Sequence, residues 1–137
     1  MIVLDASAAV ALLLQIQPSA TAIGERLDRT GESLHTPAIF DAEVLQVIRR
    51  HWLRKLISPS RARLALDDLR NLGIRRYPNV PLLDRMWDLR QNLSAFDAAY
   101  IALAEALDAP LITTDARLAR APRHRARVEG YPTGPPG

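Results

Sequence analysis

The chain has 137 residues, 48% of them apolar, eighteen Lys and Arg against fifteen Asp and Glu, and no cysteine. That length and composition suit one soluble domain with a real core, and they exclude general disorder. The missing cysteines exclude disulfides, thiolate metal sites and cysteine nucleophiles, and His35, His51 and His124 show no zinc-ligand spacing.

In chain order, Ile2 to Leu4 reads as a buried strand, a short continuous apolar run. Helix follows through Leu14 and again from Ser19 to Arg29, with Gly31 as the stop. Ala6 to Leu14 is the longest apolar run and is too short to span a bilayer, which takes about 20 residues. The N-terminus carries no basic segment of the signal-peptide kind. A cytoplasmic protein without a membrane span is the expectation. Ser33 to Thr36 makes a second strand before Pro37.

From Ala38 a helix places Phe40, Val44, Val47 and Ile48 on one face and continues to Leu56. Ser58 and Pro59 are a cap and a first-turn proline for the next helix, which ends at Gly73. Ile74 to Tyr77 is a third strand, placed at an edge by Arg75 and Arg76. Leu82 to Asn92 and Ser94 to Leu107 are further helices, the second rich in alanine. Leu111 to Thr114 is a buried strand, a short helix follows Asp115, and Arg127 to Glu129 forms a last edge strand. Tyr131 to Gly137 reads as a disordered Pro/Gly tail. The alternation predicts a three-layer α/β/α domain over residues 1–130, with a mainly parallel five-stranded sheet.

Four carboxylates, Asp5, Glu43, Asp97 and Asp115, stand where a strand ends or a helix begins. Each has an ordinary structural account. Asp5 and Asp115 can cap the helices that follow them, and Asp97 can complete a capping box with Ser94. Glu43 suits the positive end of its helix dipole. In an open α/β sheet, however, all four positions fall on the edge where ligands bind. At an effective dielectric of about 20, two carboxylates about 4 Å apart repel by roughly 4 kcal/mol. A hard ion such as Mg²⁺ or Mn²⁺ relieves that repulsion through oxygen ligands, so the pattern points to metal-dependent phosphodiester chemistry. With those four set aside, eleven acids face eighteen bases, seventeen of them arginine, which suits a polyanionic partner. Helical periodicity leaves Asp41 and Glu43 as equal alternatives.

Four segments carry a resemblance: Met1-Ile-Val-Leu-Asp5-Ala-Ser7-Ala, Pro37-Ala-Ile-Phe-Asp-Ala-Glu43-Val, Leu93-Ser-Ala-Phe-Asp97-Ala-Ala-Tyr100-Ile-Ala and Leu111-Ile-Thr-Thr-Asp115. Together they resemble the PIN-domain family, and most of all its small VapC-type branch, the toxins of toxin–antitoxin pairs. The resemblance implies a divalent-metal endoribonuclease with metal-binding acids at Asp5, Glu43, Asp97 and Asp115. It also selects Glu43 over Asp41, because the family's glutamate stands six residues after the proline. Ser7, Thr113, Thr114, Arg90 and Arg117 are supporting candidates, the hydroxyls beside the acids and the arginines for phosphate. Implied partners are RNA, a small DNA-binding antitoxin and a second copy in a homodimer. Trp52 and Trp87 are candidate anchors, with at least one expected in the core.

Two other acid-at-strand-end classes fail on residues. A phosphoaspartate hydrolase wants a second Asp where Ser7 stands, and a receiver domain wants a late lysine, whereas Lys55 is the sole lysine. A noncatalytic interaction module that kept the fold is the reading of a different kind.

Overall fold

The computed structural model describes residues 1–133. Five strands form one sheet: β1 (Ile2–Leu4), β2 (Leu34–Pro37), β3 (Ile74–Tyr77), β4 (Leu111–Thr113) and β5 (Val128–Gly130). Their order is β3-β2-β1-β4-β5, and every pair is parallel. The expected mainly parallel sheet is thus wholly parallel. Parallel neighbours need long crossovers, and these are α1 (Ala6–Leu13) and α2 (Ser19–Thr30), then α3 (Phe40–Leu53) and α4 (Pro59–Asn71). A 3₁₀ turn (Val80–Leu82), α5 (Leu83–Asp88) and α6 (Ala95–Leu107) lead back to β4, and α7 (Ala116–Ala119) leads to β5. Helices cover the sheet in the expected three layers.

The core sits where the run Ile2-Val3-Leu4 is sealed from water together with Leu111 and Ile112 of β4. Phe40 and Val44 of α3 and Tyr100 and Ile101 of α6 close over it. The chain first builds outward from β1 to β2 and β3, then returns to place β4 on the other flank of β1. That reversal opens a crevice at the carboxyl ends of β1 and β4. Asp5 is the residue after β1 and its amide bonds Ile112 O at 3.0 Å, while Asp115 lies just past β4.

Element ends follow cap chemistry. Ser58 accepts the Arg61 amide at 3.1 Å, Ser94 accepts that of Asp97 at 3.2 Å, and Gly31 takes a left-handed φ of 59°. α3 stops at Leu53 rather than Leu56 because Lys55 adopts φ 57°. The Lys55 and Leu56 amides then turn back to Trp52 O and His51 O, a Schellman closure made without glycine. The helix expected over Leu82 to Asn92 is also shorter: α5 ends at Asp88, and i to i+3 bonds such as Asn92 N–H to Leu89 O tighten the chain into turns.

Arg75 and Arg76 do mark an edge strand. Arg76 grips Asp41 at 2.6 and 2.8 Å, and the Arg75 guanidinium lies over Tyr77. Both tryptophans are exposed, Trp52 at 48% and Trp87 at 66%, which corrects the expectation of a core tryptophan. The buried side chains of α3 are Phe40, Val44 and Ile48, leaving Trp52 over the apolar gap between α3 and α4. Tyr131 is held as well, its amide on Thr113 O at 2.8 Å and its hydroxyl on Glu129. Residues 134–137 of the expected tail lie outside the described residues.

Candidate active site

A cleft of about 310 Å³ lies at the crevice, and its lining includes Asp5, Glu43, Asp97 and Asp115. The fold therefore brings together all four acids from β1, α3, α6 and the end of β4.

Asp5 is the most deeply set, only 6% exposed. It stands at the N-cap of α1 but makes no side-chain cap bond. Instead Ser7 Oγ and Thr113 Oγ1 both donate to its Oδ2, each at 2.6 Å. Each hydroxyl has a single proton to give, and each is oriented from behind by a backbone amide: Thr114 N–H on Ser7 Oγ and Asp115 N–H on Thr113 Oγ1, both at 3.0 Å. The 3.1 Å approach of the two hydroxyl oxygens is therefore a by-product of their shared acceptor. The end of β4 fixes the hydroxyls, the hydroxyls fix one oxygen of Asp5, and the other has no side-chain partner among the described residues.

Glu43 leaves the first turns of α3 and accepts Tyr100 Oη–H at 2.8 Å. Tyr100 is fully buried, one turn beyond Asp97 on α6, so this bond ties two acid-bearing helices together. Asp97 stands in the first turn of α6, where the Ser94 hydroxyl carries the cap. Asp115 does cap, its Oδ1 accepting the Arg117 amide at 2.9 Å.

Burial raises the carboxyl pKa of Asp5, Glu43 and Asp97 above the ordinary values. Mutual repulsion adds to it: Asp97 acts on Asp5, both act on Glu43, and Asp115 acts on Asp97. The hydroxyls of Ser7, Thr113, Tyr100 and Ser94 pull the other way without cancelling the burial. The same surroundings push the Tyr100 phenol upward, so it stays a donor to Glu43. Among the described residues, no cation comes within 4 Å of Asp5, Glu43 or Asp97, and Asp115 has only the exposed Arg117 at 3.8 Å.

The donor set is all oxygen, net negative and short of cations, which fits a hard divalent ion. Among the described residues no three acids or histidines already stand as a ready-made ligand group for one ion. Mg²⁺ does not need one, because it keeps several waters and binds through one or two carboxylates plus substrate phosphate.

The supporting candidates separate. Ser7 and Arg117 line the cleft, Thr113 reaches Asp5, and Thr114 contributes its amide. Arg90 does not line it: its guanidinium lies 4.4 Å over the Trp87 ring. Two polar lining residues are not among the sequence candidates, Gln46 and Arg50. With Glu43 and Val47 they follow the i, i+3, i+4, i+7 spacing of one helix face, so the signal was present once Glu43 had been chosen.

Residues 2–124 match the sequence model of the PIN domain. The chain is 45% identical over 129 residues to Ribonuclease VapC12 of Mycobacterium tuberculosis, covering 94% of this chain and 98% of that one. Its fold is similar to VapBC2 from Rickettsia felis, solved bound to a DNA fragment from their promoter. That likeness has a TM-score of 0.66 at 16% identity, over 96% of this chain and 99% of that one. It is also similar to Mycobacterium tuberculosis VapC20, a sarcin–ricin loop cleaving toxin, with a TM-score of 0.65 at 16% identity over 87% and 93%. The wholly parallel sheet with four acids in the cleft at its switch point is an α/β domain built around an acidic site. The chain belongs to the PIN-domain family, in the branch of the VapC ribonucleases.

Proposed function

We propose that this chain is a Mg²⁺-dependent endoribonuclease, with Mn²⁺ as a substitute, and the toxin of a toxin–antitoxin pair. The observation that carries the metal is the set of three part-buried carboxylates, from three elements, that line one cleft with no cation within 4 Å of them among the described residues. A protein with seventeen arginines had ample means to neutralise them. The kinship with Ribonuclease VapC12 supports the ribonuclease reading.

Asp5, Glu43 and Asp97 would hold the ion, directly or through water, with Asp115 on the outer side. When bound, the ion supplies charge neutralisation at the phosphate and activation of water. The chain's own groups do the positioning. Ser7 and Thr113 keep Asp5 in one rotamer and leave one oxygen for the cleft. Tyr100 does the same for Glu43, and Arg117 at the rim meets the phosphodiester backbone. An open cleft of this kind suits single-stranded or looped RNA, whose backbone and bases are accessible. A small DNA-binding antitoxin covering the acidic cleft and a homodimer complete the proposal. The VapBC2 assembly on promoter DNA supports the first of these.

The experiment is to titrate Mg²⁺ and Mn²⁺ into the purified protein while following its melting and the cleavage of total cellular RNA. Both a rise in melting temperature and metal-dependent cleavage are expected. Bound metal at a hundredfold its Kd adds about 2.7 kcal/mol of stability. Absence of both responses would favour the noncatalytic interaction module instead.

A further inference from the structure

We infer that Arg50, on the cleft face of α3, is an RNA-phosphate-binding residue that draws the strand away from the acids along α3 toward Arg54. The inference rests on the ribonuclease reading and adds a binding position and a direction to it.

Arg50 lines the same cleft as the four acids, yet its side chain has no ion pair and no hydrogen bond among the described residues. Three arginines elsewhere are two-toothed ties, Arg26 to Glu129, Arg76 to Asp41 and Arg85 to Glu105. Arg50 is not such a tie, although carboxylates are its neighbours. Helical geometry explains why. At a rise of 1.5 Å per residue, Arg50 stands about 10 Å beyond Glu43 along α3, too far to pair with it. At 100° per residue, Glu43, Arg50 and Arg54 fall within about 40° of one another on the helix, with Arg54 a further 6 Å or so along.

An exposed, uncommitted guanidinium on the same stripe as a catalytic-site acid suits a phosphate beyond the one being cut. There the planar fork meets an anion that no metal neutralises. Arg117 on the opposite rim confines the strand from the α7 side. Arg49, one residue earlier, faces the apolar gap between α3 and α4 instead, and so serves as a built-in control.

The test measures binding of a short, fluorescein-labelled single-stranded RNA of mixed sequence by anisotropy. It uses Asp97→Asn protein with Mg²⁺ over a series of salt concentrations, alone and with Arg50→Ala, Arg50→Lys, Arg54→Ala or Arg49→Ala added. Losing one phosphate contact on a single strand makes the slope of log K against log salt shallower by about 0.7. Arg50→Ala is expected to show that change with affinity down about tenfold. Arg50→Lys should recover most of it, Arg54→Ala should give a smaller loss of the same sign, and Arg49→Ala should leave the slope alone. With Asp97 intact, Arg50→Ala should raise KM for RNA and leave kcat in place.

Equal losses for Arg50→Ala and Arg49→Ala, or a fall in kcat without a rise in KM, would overturn the assignment while leaving the ribonuclease reading intact. A protein with Asp97 intact that neither binds nor cleaves the RNA overturns the ribonuclease reading itself. Because Arg50 is exposed and unpartnered, its variants should melt with the parent, which separates binding from folding.

Discussion

Asp97 and Glu105 sit on one helix, about two turns apart, and they are treated in opposite ways. Glu105, near the negative end of α6, is held by Arg85 at 2.7 and 3.0 Å and by the Arg125 amide at 2.7 Å. Its pKa is lowered, with Arg85 as the main cause. Asp97, at the positive end, has its pKa raised by burial and by Asp115. The helix dipole alone predicts the reverse at both positions, since it favours acids at the start and disfavours them at the end. It is worth about 0.3–1 kcal/mol, less than a charge-assisted two-toothed pair, so local partners decide. Where only the fold is at stake, a part-buried carboxylate is given its arginine. At the cleft that partner is withheld.

The comparison breaks first, and by the largest margin, at Asp97. Asp97→Asn keeps the shape and removes one charge from the uncompensated set. RNA cleavage should fall by on the order of 10²–10³-fold, the scale for losing one electrostatic group at a reacting centre. The metal-free protein should melt no lower than the parent, because repulsion is relieved. A variant that unfolds, alongside a parent that ignores metal, would make Asp97 a structural cap after all.

Glu105→Gln tests the other half. It strips the charge from a side chain only 5% exposed while Arg85 stays beside it at 31%. The expected cost is about 2 kcal/mol, within the range for hydrogen bonds to charged groups. Urea unfolding measures it. Cleavage per folded molecule should not change. A loss of activity without loss of stability would mean that the two acids are not different in kind.

Much of this was legible in the sequence, for definite reasons. Ile2-Val3-Leu4 and Leu111-Ile112 read as buried strands because a central parallel strand is apolar on both faces, and both are sealed. Ser58-Pro59 and Ser94 announced helix starts, since a capping hydroxyl is a local matter. The end of α3 was not legible, because Lys55 takes the left-handed role that glycine normally advertises. At the site, the strand-end acids were visible. Ser7 and Thr113 were visible as supporting hydroxyls, but the convergence of Thr113 with Ser7 on one oxygen of Asp5 was not, because it joins positions more than a hundred residues apart. Arg90 failed as a candidate for the converse reason. Nearness in sequence to Asp97 says nothing about which way a turn points, and this one turns to Trp87.

A smaller change makes the cleft resemble the Arg85–Glu105 pair. Gln46 lines the cleft one turn along from Glu43. Gln46→Lys places an ammonium beside the acids and should stabilise the metal-free protein by about 1 kcal/mol, the upper end for a solvent-accessible pair. It should also shrink the Mg²⁺-induced rise in melting temperature, since the same charge cannot be neutralised twice. A full metal response in this variant would show that the ion sits away from Glu43.

The last expected effect is in pH, and its sign follows from the Glu105–Arg85 pair alone. Glu105 has a folded pKa below its ordinary value of 4.5. A carboxylate of that kind contributes stability that is fully present above the unfolded value and lost as pH falls through the folded one. From neutral pH down to about 4.5, the Glu105–Arg85 pair should therefore hold. Below that it should weaken, and Glu105→Gln should cost progressively less as the parent loses the same charge. Measured as the difference in unfolding free energy between the two proteins, the gap should be flat near neutrality and close in acid. A gap that stayed unchanged into acid would mean that the charge of Glu105 does not carry the contact with Arg85, and the contrast between the two ends of α6 would then be one of packing rather than of electrostatics.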